Sequence, residues 1–341
     1  MLKMILKRLV ETIPMILTIS IVSFLLIRVA PGDPVRALIT PESTVEDIEK
    51  IRENMGLNDS YLVQYDRWFK SVLKGDLGYS FSNHRPVKDQ IKERIPQTLG
   101  LMGSSLLLSL LLGTIIGILS AMYKGSVFDK IFTLLSYIGI SIPSFWFAMI
   151  LIQVFSLKLG WLPSIGMRSL GVHTTSDLIK HSILPILTLS ISDTASISRY
   201  IRSKVVSQLK EDYVMTERAQ GFSKSQLFFK SILKNSLLPI ITIIGMGLPS
   251  LISGAFITES IFGWPGLGQL GMNAIFKYDY PLIMATTMFS SLLLIFGNLI
   301  SDILYMIVDP RIKEGNWWKT LNQSSDILHY PLKYHSLVYL Y

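Results

Sequence analysis

Asp193 stands near the middle of a long apolar run, and Ser190, Asp193, Ser196 and Tyr200 recur at three- and four-residue spacing, which on a helix gathers them toward one face. An ionisable group at the centre of a membrane span costs roughly 2.5–3.5 kcal/mol on insertion scales, so it usually faces a bundle interior or a wet cavity. Two chemistries fit: a polar stripe lining a path for a solute, or a helix–helix contact in which a neighbouring hydroxyl or arginine satisfies the carboxylate. Asn298 and Asp302 form a similar i, i+4 pair. A path-lining role stands there beside simple hydration of Asp302 at the inner end of its span. Bond-making chemistry has no visible machinery. No HExxH, GxSxG or Gly-x-x-x-x-Gly-Lys-Ser/Thr motif occurs, and His84, His173, His181, His329 and His335 avoid the middle of every apolar run. The absence of cysteine excludes disulfides and thiolate metal sites, and an intramembrane enzyme would lack a base. No cofactor and no buried metal centre are expected, and ATP-driven work would need the ATPase on another chain.

The elements that must hold these groups are long apolar helices. The chain has 341 residues, 50% hydrophobic and 16% charged, with a net charge of +8, a balance far from that of a soluble domain. Its basic residues cluster beside apolar runs, as positive-inside placement requires, and form no separate domain. That pattern argues for membrane lipid as the surrounding partner and against nucleic acid. Six runs reach the length that a bilayer needs: Val10–Ala30, Thr98–Met122, Ile131–Leu157, Ile183–Arg202, Leu237–Ile257 and Leu282–Val308. The first is longer than a signal-peptide core and lacks a small-x-small cleavage site, so it reads as an uncleaved span. The expected fold is an all-α membrane protein with six transmembrane helices and an outward-facing soluble cap between the first and second.

Residues 1–30 hold the N-terminus and first span, 31–97 the cap, 98–310 the remaining spans with a long loop at 204–236, and 311–341 a tail. Lysines and arginines in the short connections put both termini and the 204–236 loop in the cytoplasm. In the cap, Thr44 and Asp47 form a candidate capping box and Gly56 a stop. Gly113 and Gly117 make a GxxxG on the second span, and Gly245, Gly247 and Gly254 thin the fifth. Small residues admit close helix packing, with gating as the other possibility. "GWPGLG", Gly263–Gly268, is too rich in Gly and Pro to sit as lipid-exposed backbone, so it reads as a turn or re-entrant element at the outer surface.

The 204–236 loop raises a different question. The fourth helix is expected to continue past Val205, Val206 and Leu209, because nothing breaks it before Gly221, a plausible C′ residue. Ser223 and Gln226 then form a capping box for a second short helix, with Phe229, Leu233 and Leu237 as an apolar stripe before Pro239. Scattered lysines there could touch anionic headgroups. A rigid elbow with mixed faces also suits a groove on a partner protein.

"DYVMTERAQG" (Asp212–Gly221), followed at a distance by Pro239, resembles the cytoplasmic loop of permease subunits of binding-protein-dependent ABC importers. The likeness to the peptide and nickel branch extends through "PGDP" (Pro31–Pro34), "QYDRW" (Gln64–Trp68), "GDLGYS" (Gly75–Ser80), "RIPQTL" (Arg94–Leu99), "SIPSFW" (Ser141–Trp146), "ESIFGWPGLGQL" (Glu259–Leu270), "YDYP" (Tyr278–Pro281) and "DPR" (Asp309–Arg311). One departure is visible: Met215, Thr216 and Glu217 stand where the family has Glu-Ala-Ala. The resemblance implies a permease, not an enzyme, paired with a second similar permease, two ATP-binding subunits and an extracytoplasmic solute-binding protein in the cytoplasmic membrane. It implies ATPase docking at Tyr213, Thr216, Glu217, Arg218, Ala219, Gly221 and Pro239. It also implies an outer loop or gate at Glu259, Trp264, Pro265, Gly266 and Gly268. Peptides are the first expected cargo, with nickel or a metal chelate second; a receptor or scaffold that moves nothing would keep the spans and the elbow without needing a polar path.

Overall fold

The computed structural model describes residues 2–29, 33, 35, 44–233 and 255–308. Among them every regular element is helical, and extended pairing is limited to one bridge between Tyr79 and Pro86. In chain order the helices are α1 (Leu2–Val29), α2 (Val45–Asn54), α3 (Tyr61–Leu73), α4 (Val87–Met122), α5 (Val127–Ser141), α6 (Ser144–Leu151), α7 (Thr175–Gln208), α8 (Asp212–Ala219), α9 (Lys224–Leu227), α10 (Leu267–Phe276) and α11 (Tyr280–Val308). π-Helical turns, Ile152–Lys158 and Phe228–Ile232, extend α6 and α9, and residues 255–261 are also helical. Most of the fifth apolar run, with Pro239, Gly245, Gly247 and Gly254, lies outside the described residues, as do most of PGDP, all of DPR and the tail.

Among the described residues, three helices are long and apolar enough to cross a membrane, at Val10–Val29, Val87–Met122 and Tyr280–Ser301, and the bent pair Val127–Ser141 plus Ser144–Lys158 is a fourth if counted as one broken span. The expected third span, Ile131–Leu157, is therefore not continuous: it turns by 111° at Ile142–Pro143. Proline has no N–H to continue the helix and pushes the residue before it out of the α region; Ile142 accordingly sits at φ −76, ψ 126. The second span differs in the other direction. α4 starts at Val87, not at Thr98, and its 36 residues reach about 54 Å at 1.5 Å per residue, well past a bilayer core. The last part of the expected cap is thus the N-terminal end of a span helix.

The cap follows its local signals. Thr44 N–H and hydroxyl donate to Asp47 Oδ2 at 3.0 and 2.6 Å, and Asp47 N–H returns a bond to Thr44 Oγ1 at 3.2 Å. The Thr44 hydroxyl holds the Asp47 carboxyl below its ordinary range. α3 rests on the end of α1, where Tyr65 meets the Ser20 hydroxyl at 2.7 Å and packs edge-on against Phe24 with ring centroids 5.5 Å apart.

α7 is the axis of the bundle, packed on α4, α5 and α6. It runs parallel to α4, and the seam between them is lined with small and hydroxylic residues: Ser105, Ser109, Gly113 and Gly117 are buried on α4. The Ser109 hydroxyl donates to the Ser190 carbonyl at 3.1 Å across the seam. On the other flank the hydroxyls of Ser136 (α5) and Ser198 (α7) lie 3.0 Å apart. Because neighbours cover these groups, α7 can be polar and still cross the bundle. α7 also ends earlier than expected, at Gln208, not near Gly221. A turn at Leu209–Glu211 reverses the chain, the Tyr213 hydroxyl bridges it to Gln208 Oε1 at 2.7 Å, and Val214 is thereby turned back onto Ile201 and Val205.

A Cβ at Gly117 would lie 2.6 Å from the Ser198 carbonyl oxygen and 2.8 Å from Ile201 Cβ. Neither atom can swing aside. Gly117→Leu is expected to lower the thermal midpoint of the purified protein, on the overpacking scale of about 1–3 kcal/mol, whereas Gly103→Ala, which meets nothing within 4 Å, should not lower it. Equal melting of Gly117→Leu and the parent would contradict the close approach.

Candidate functional site

The elbow is held by a buried inner side. Val214, Leu227, Phe228 and Ile232 are all under a tenth exposed and pack with Ile197, Ile201 and Val205 of α7 and Ala121 of α4. Of the expected stripe of Phe229, Leu233 and Leu237, Leu233 packs partly buried against this cluster, while the side chain of Phe229 and all of Leu237 lie outside the described residues; the π turn after Leu227 carries Phe228 and Ile232 into the core. Ser223 N–H donates to Gln226 Oε1 at 3.0 Å and Gln226 N–H to Ser223 Oγ at 3.3 Å, the expected capping box. Gly221 follows α8 at φ +89, a left-handed backbone that side chains disfavour.

The candidate docking residues divide into two groups. Tyr213 and Glu217 hold the elbow together: Tyr213 bonds Gln208, and Glu217 Oε1 accepts from the Ser231 hydroxyl at 2.8 Å, joining the two short helices. Thr216, Arg218, Ala219 and Gly221 are exposed, as is Met215 beside them. They form the outward face of a rigid knuckle.

At the opposite end of α4 a second knot forms around Glu259, which is fully buried. Thr98 donates its hydroxyl to Glu259 Oε1 at 2.6 Å, and the N–H groups of Gly268 and Gln269 donate to Oε2 at 2.6 and 3.3 Å. Thr98 Oγ1 in turn accepts from Leu267 N–H at 2.8 Å. The free N–H groups at the start of α10 suit a carboxylate. Gly266 lets the chain pass: a Cβ there would lie 2.1 Å from Glu259 Oε1. Trp264 Nε1 donates to the Gln97 carbonyl at 3.1 Å, its ring is buried among Leu101, Met102, Leu189 and Ala255, and Pro265 is half-buried beside it. Glu259, Trp264, Gly266 and Gly268 are therefore one packed unit on α4.

The polar residues of the spans are not gathered in one place. Ser190 is buried in the α4–α7 seam, its hydroxyl on the Leu187 carbonyl at 3.2 Å. Ser196 is exposed and Asp193 half-buried between them. No hydrogen bond or ion pair is described for Asp193 among the described residues. Asn298 lines a cavity of about 260 Å³ between α1 and α11 with Glu11, Thr12 and Ser301; the side chain of Asp302 lies outside the described set.

Two charged clusters escaped the sequence reading. Arg202 of α7 clasps Asp129 at the start of α5 with both forks, Nε to Oδ1 at 2.6 Å and Nη2 to Oδ2 at 2.8 Å, while Gly125 N–H adds a bond at 2.8 Å. Asp279, fully buried, accepts from the Ser80 hydroxyl at 2.5 Å and the Ser82 N–H at 3.1 Å, and caps α11 through Leu282 N–H at 3.4 Å. Asp129 follows Ser126 as a helix-start signal, so its place was readable; its distant partner was not.

The sequence model of the family described as binding-protein-dependent transport system inner membrane component matches residues 113–314, and that of the corresponding N-terminal membrane component matches residues 1–102. The chain is 44% identical over 311 residues to the oligopeptide transport system permease protein AppB of Bacillus subtilis, covering 91% of this chain and 98% of that one. It is 37% identical over 313 residues to the glutathione transport system permease protein GsiC of Salmonella paratyphi A, covering 92% and 99%. A solved inward-facing conformation of the MetNI methionine ABC transporter superposes with a TM-score of 0.52 at 17% identity, over 64% of this chain and 96% of that one, a likeness of fold.

Thr98→Val keeps the shape of the side chain and removes both the donor to Glu259 and the acceptor for Leu267. Leaving a buried polar group short of a partner costs about 1–3 kcal/mol, so the variant is expected to melt earlier and Thr98→Ser to melt with the parent. A Thr98→Val protein as stable as the parent would mean that the knot does not carry this contact.

Proposed function

This chain belongs to the family of binding-protein-dependent transport system inner membrane components, and from that premise we propose that it forms half of a translocation path for peptides, driven by ATP hydrolysis on two separate subunits. The second half is a similar permease, and an extracytoplasmic solute-binding protein delivers cargo to the cap and the Glu259 knot. The relatives' names, oligopeptide in one and glutathione in the other, support a peptide over nickel or a metal chelate. Basic residues at the elbow end support a cytoplasmic elbow and cytoplasmic termini, with the cap outside.

The observation that carries the reading is the elbow itself. Its inner side is fused to α7 and α4 by buried apolar contact, while Thr216, Arg218, Ala219 and Gly221 face outward, so a partner that pushes on the outer face moves both helices. The Arg202–Asp129 clasp hands the same motion to α5. α4 carries Thr98, and with it Glu259 and the outer knot. ATP binding would thus bias one rigid body between inward and outward openings, a population shift with the ATPase supplying the differential affinity. Asp193, half-buried and without a described partner, is the polar group on α7 best suited to meet the path between the two permeases.

At φ +89 Gly221 can be replaced only with strain, although a Cβ there would meet nothing within 4 Å. Gly221→Val is expected to insert and assemble normally, to retain ATP hydrolysis by the complex, and to lose most uptake of a labelled oligopeptide into vesicles. Uptake and hydrolysis that stay coupled in this variant would count against docking at the elbow.

A further inference from the structure

Beneath the cap, the last turns of α1, the first turn of α11, α3 and the loop around Leu77–Phe81 line an open cavity of about 260 Å³, far above the roughly 10–15 Å³ that one water needs. Phe24, Trp68, Phe81 and Met284 supply an apolar wall. Arg28 projects into this setting. Its guanidinium lies 5.2 Å from the Phe24 ring centroid and 5.3 Å from that of Tyr280, and such aromatic faces hold a cation in place. Among the described residues no carboxylate pairs with it. Arg67, on the same wall, is different, because Asp59 engages it at 2.6 Å. Two acceptors complete the lining: Asp76, and Gln64, which is 6% exposed and whose Oε1 has no partner among the described residues.

A fitting ligand therefore carries an anionic group for Arg28, hydrogen-bond donors for the acceptors, and apolar surface for the aromatic wall. The approach to the cavity narrows the choice. Val22, Leu25, Leu26 and Val29 are 46%, 43%, 64% and 77% exposed on the end of the helix that crosses the membrane. An arginine at the end of such a flank sits at headgroup depth, where its apolar stem stays in lipid and its charge reaches phosphate. We propose that the cavity holds the headgroup of a membrane phospholipid, its phosphate on Arg28, its ethanolamine or glycerol donors toward Asp76, and its acyl chains along the exposed flank of α1. The lipid would then tie the cap to the first span. This requires only that α1 crosses the membrane with its C-terminal end under the cap, and it is independent of which solute is carried.

Trp68 is a built-in reporter. The full chain, purified with its partner subunits in detergent, would be titrated with dihexanoyl phosphatidylglycerol or dihexanoyl phosphatidylethanolamine, reading the emission that disappears in Trp68→Phe. A saturable change is expected, weakened on the order of tenfold by Arg28→Met, the scale of one charge-assisted hydrogen bond, and largely kept by Arg28→Lys. Phe81→Ala, on the apolar wall, should weaken the same binding without touching the cation. Glycerol 1-phosphate, a headgroup without chains, should bind far more weakly; equal binding would mark a free-phosphate site and overturn the proposal. So would a saturable response to trialanine in place of the lipids, unaltered lipid affinity in folded Arg28→Met, or no saturable response in the parent.

Discussion

The close approach of α4 and α7 is the constraint on which the rest of the structure depends. Gly113 and Gly117 leave room for Ile197 and Ile201 against the α4 backbone, and the α4 hydroxyls of Ser105 and Ser109 are satisfied by carbonyls of their own helix and of Ser190 on α7. In an apolar surround helices gain nothing from hydrophobic burial against each other, so such contact rests on dispersion and on small residues. The seam fixes α7 at the centre with neighbours on three sides. That shelter explains how a helix with as many polar residues as α7 can still run through the bundle.

From this seam the two ends of the molecule inherit their positions. α7 and α4 together seat the elbow, and α4 alone carries Thr98 to Glu259. The buried carboxylates are well supplied with partners. Glu259, Asp279 and Asp129 each collect several donors, as a desolvated charge requires. Asp193 collects none among the described residues.

Much of the local architecture could be read from the residues, because capping boxes and glycine stops act over a few positions. Thr44 with Asp47, Ser223 with Gln226, and Gly221 all do what their types imply. The GxxxG of α4 turned out to be packing, as its residue sizes suggest. What failed was geometry that depends on distant chain. The turn after Gln208 has no strong breaker; it forms because Val214 gains a place in a core built by α4 and α7. The bond of Thr98 to Glu259 spans 161 positions and that of Ser80 to Asp279 spans 199, so the motifs "GDLGYS" and "YDYP" could be seen separately but not as partners. The break at Pro143 was available to local reasoning and was masked by the unbroken apolar run around it.

Central to the proposed transport cycle is a seam that acts as a rigid lever between the elbow and the Glu259 knot. The chain contains no cysteine, so spin labels at Met215→Cys and Lys277→Cys, both exposed sites, would report the elbow-to-knot distance inside one chain by pulsed dipolar spectroscopy. In the assembled complex that distance is expected to stay the same with and without ATP, while the distance from Met215 to a label on the second permease changes. An elbow-to-knot distance that shifts when nucleotide binds would contradict the lever.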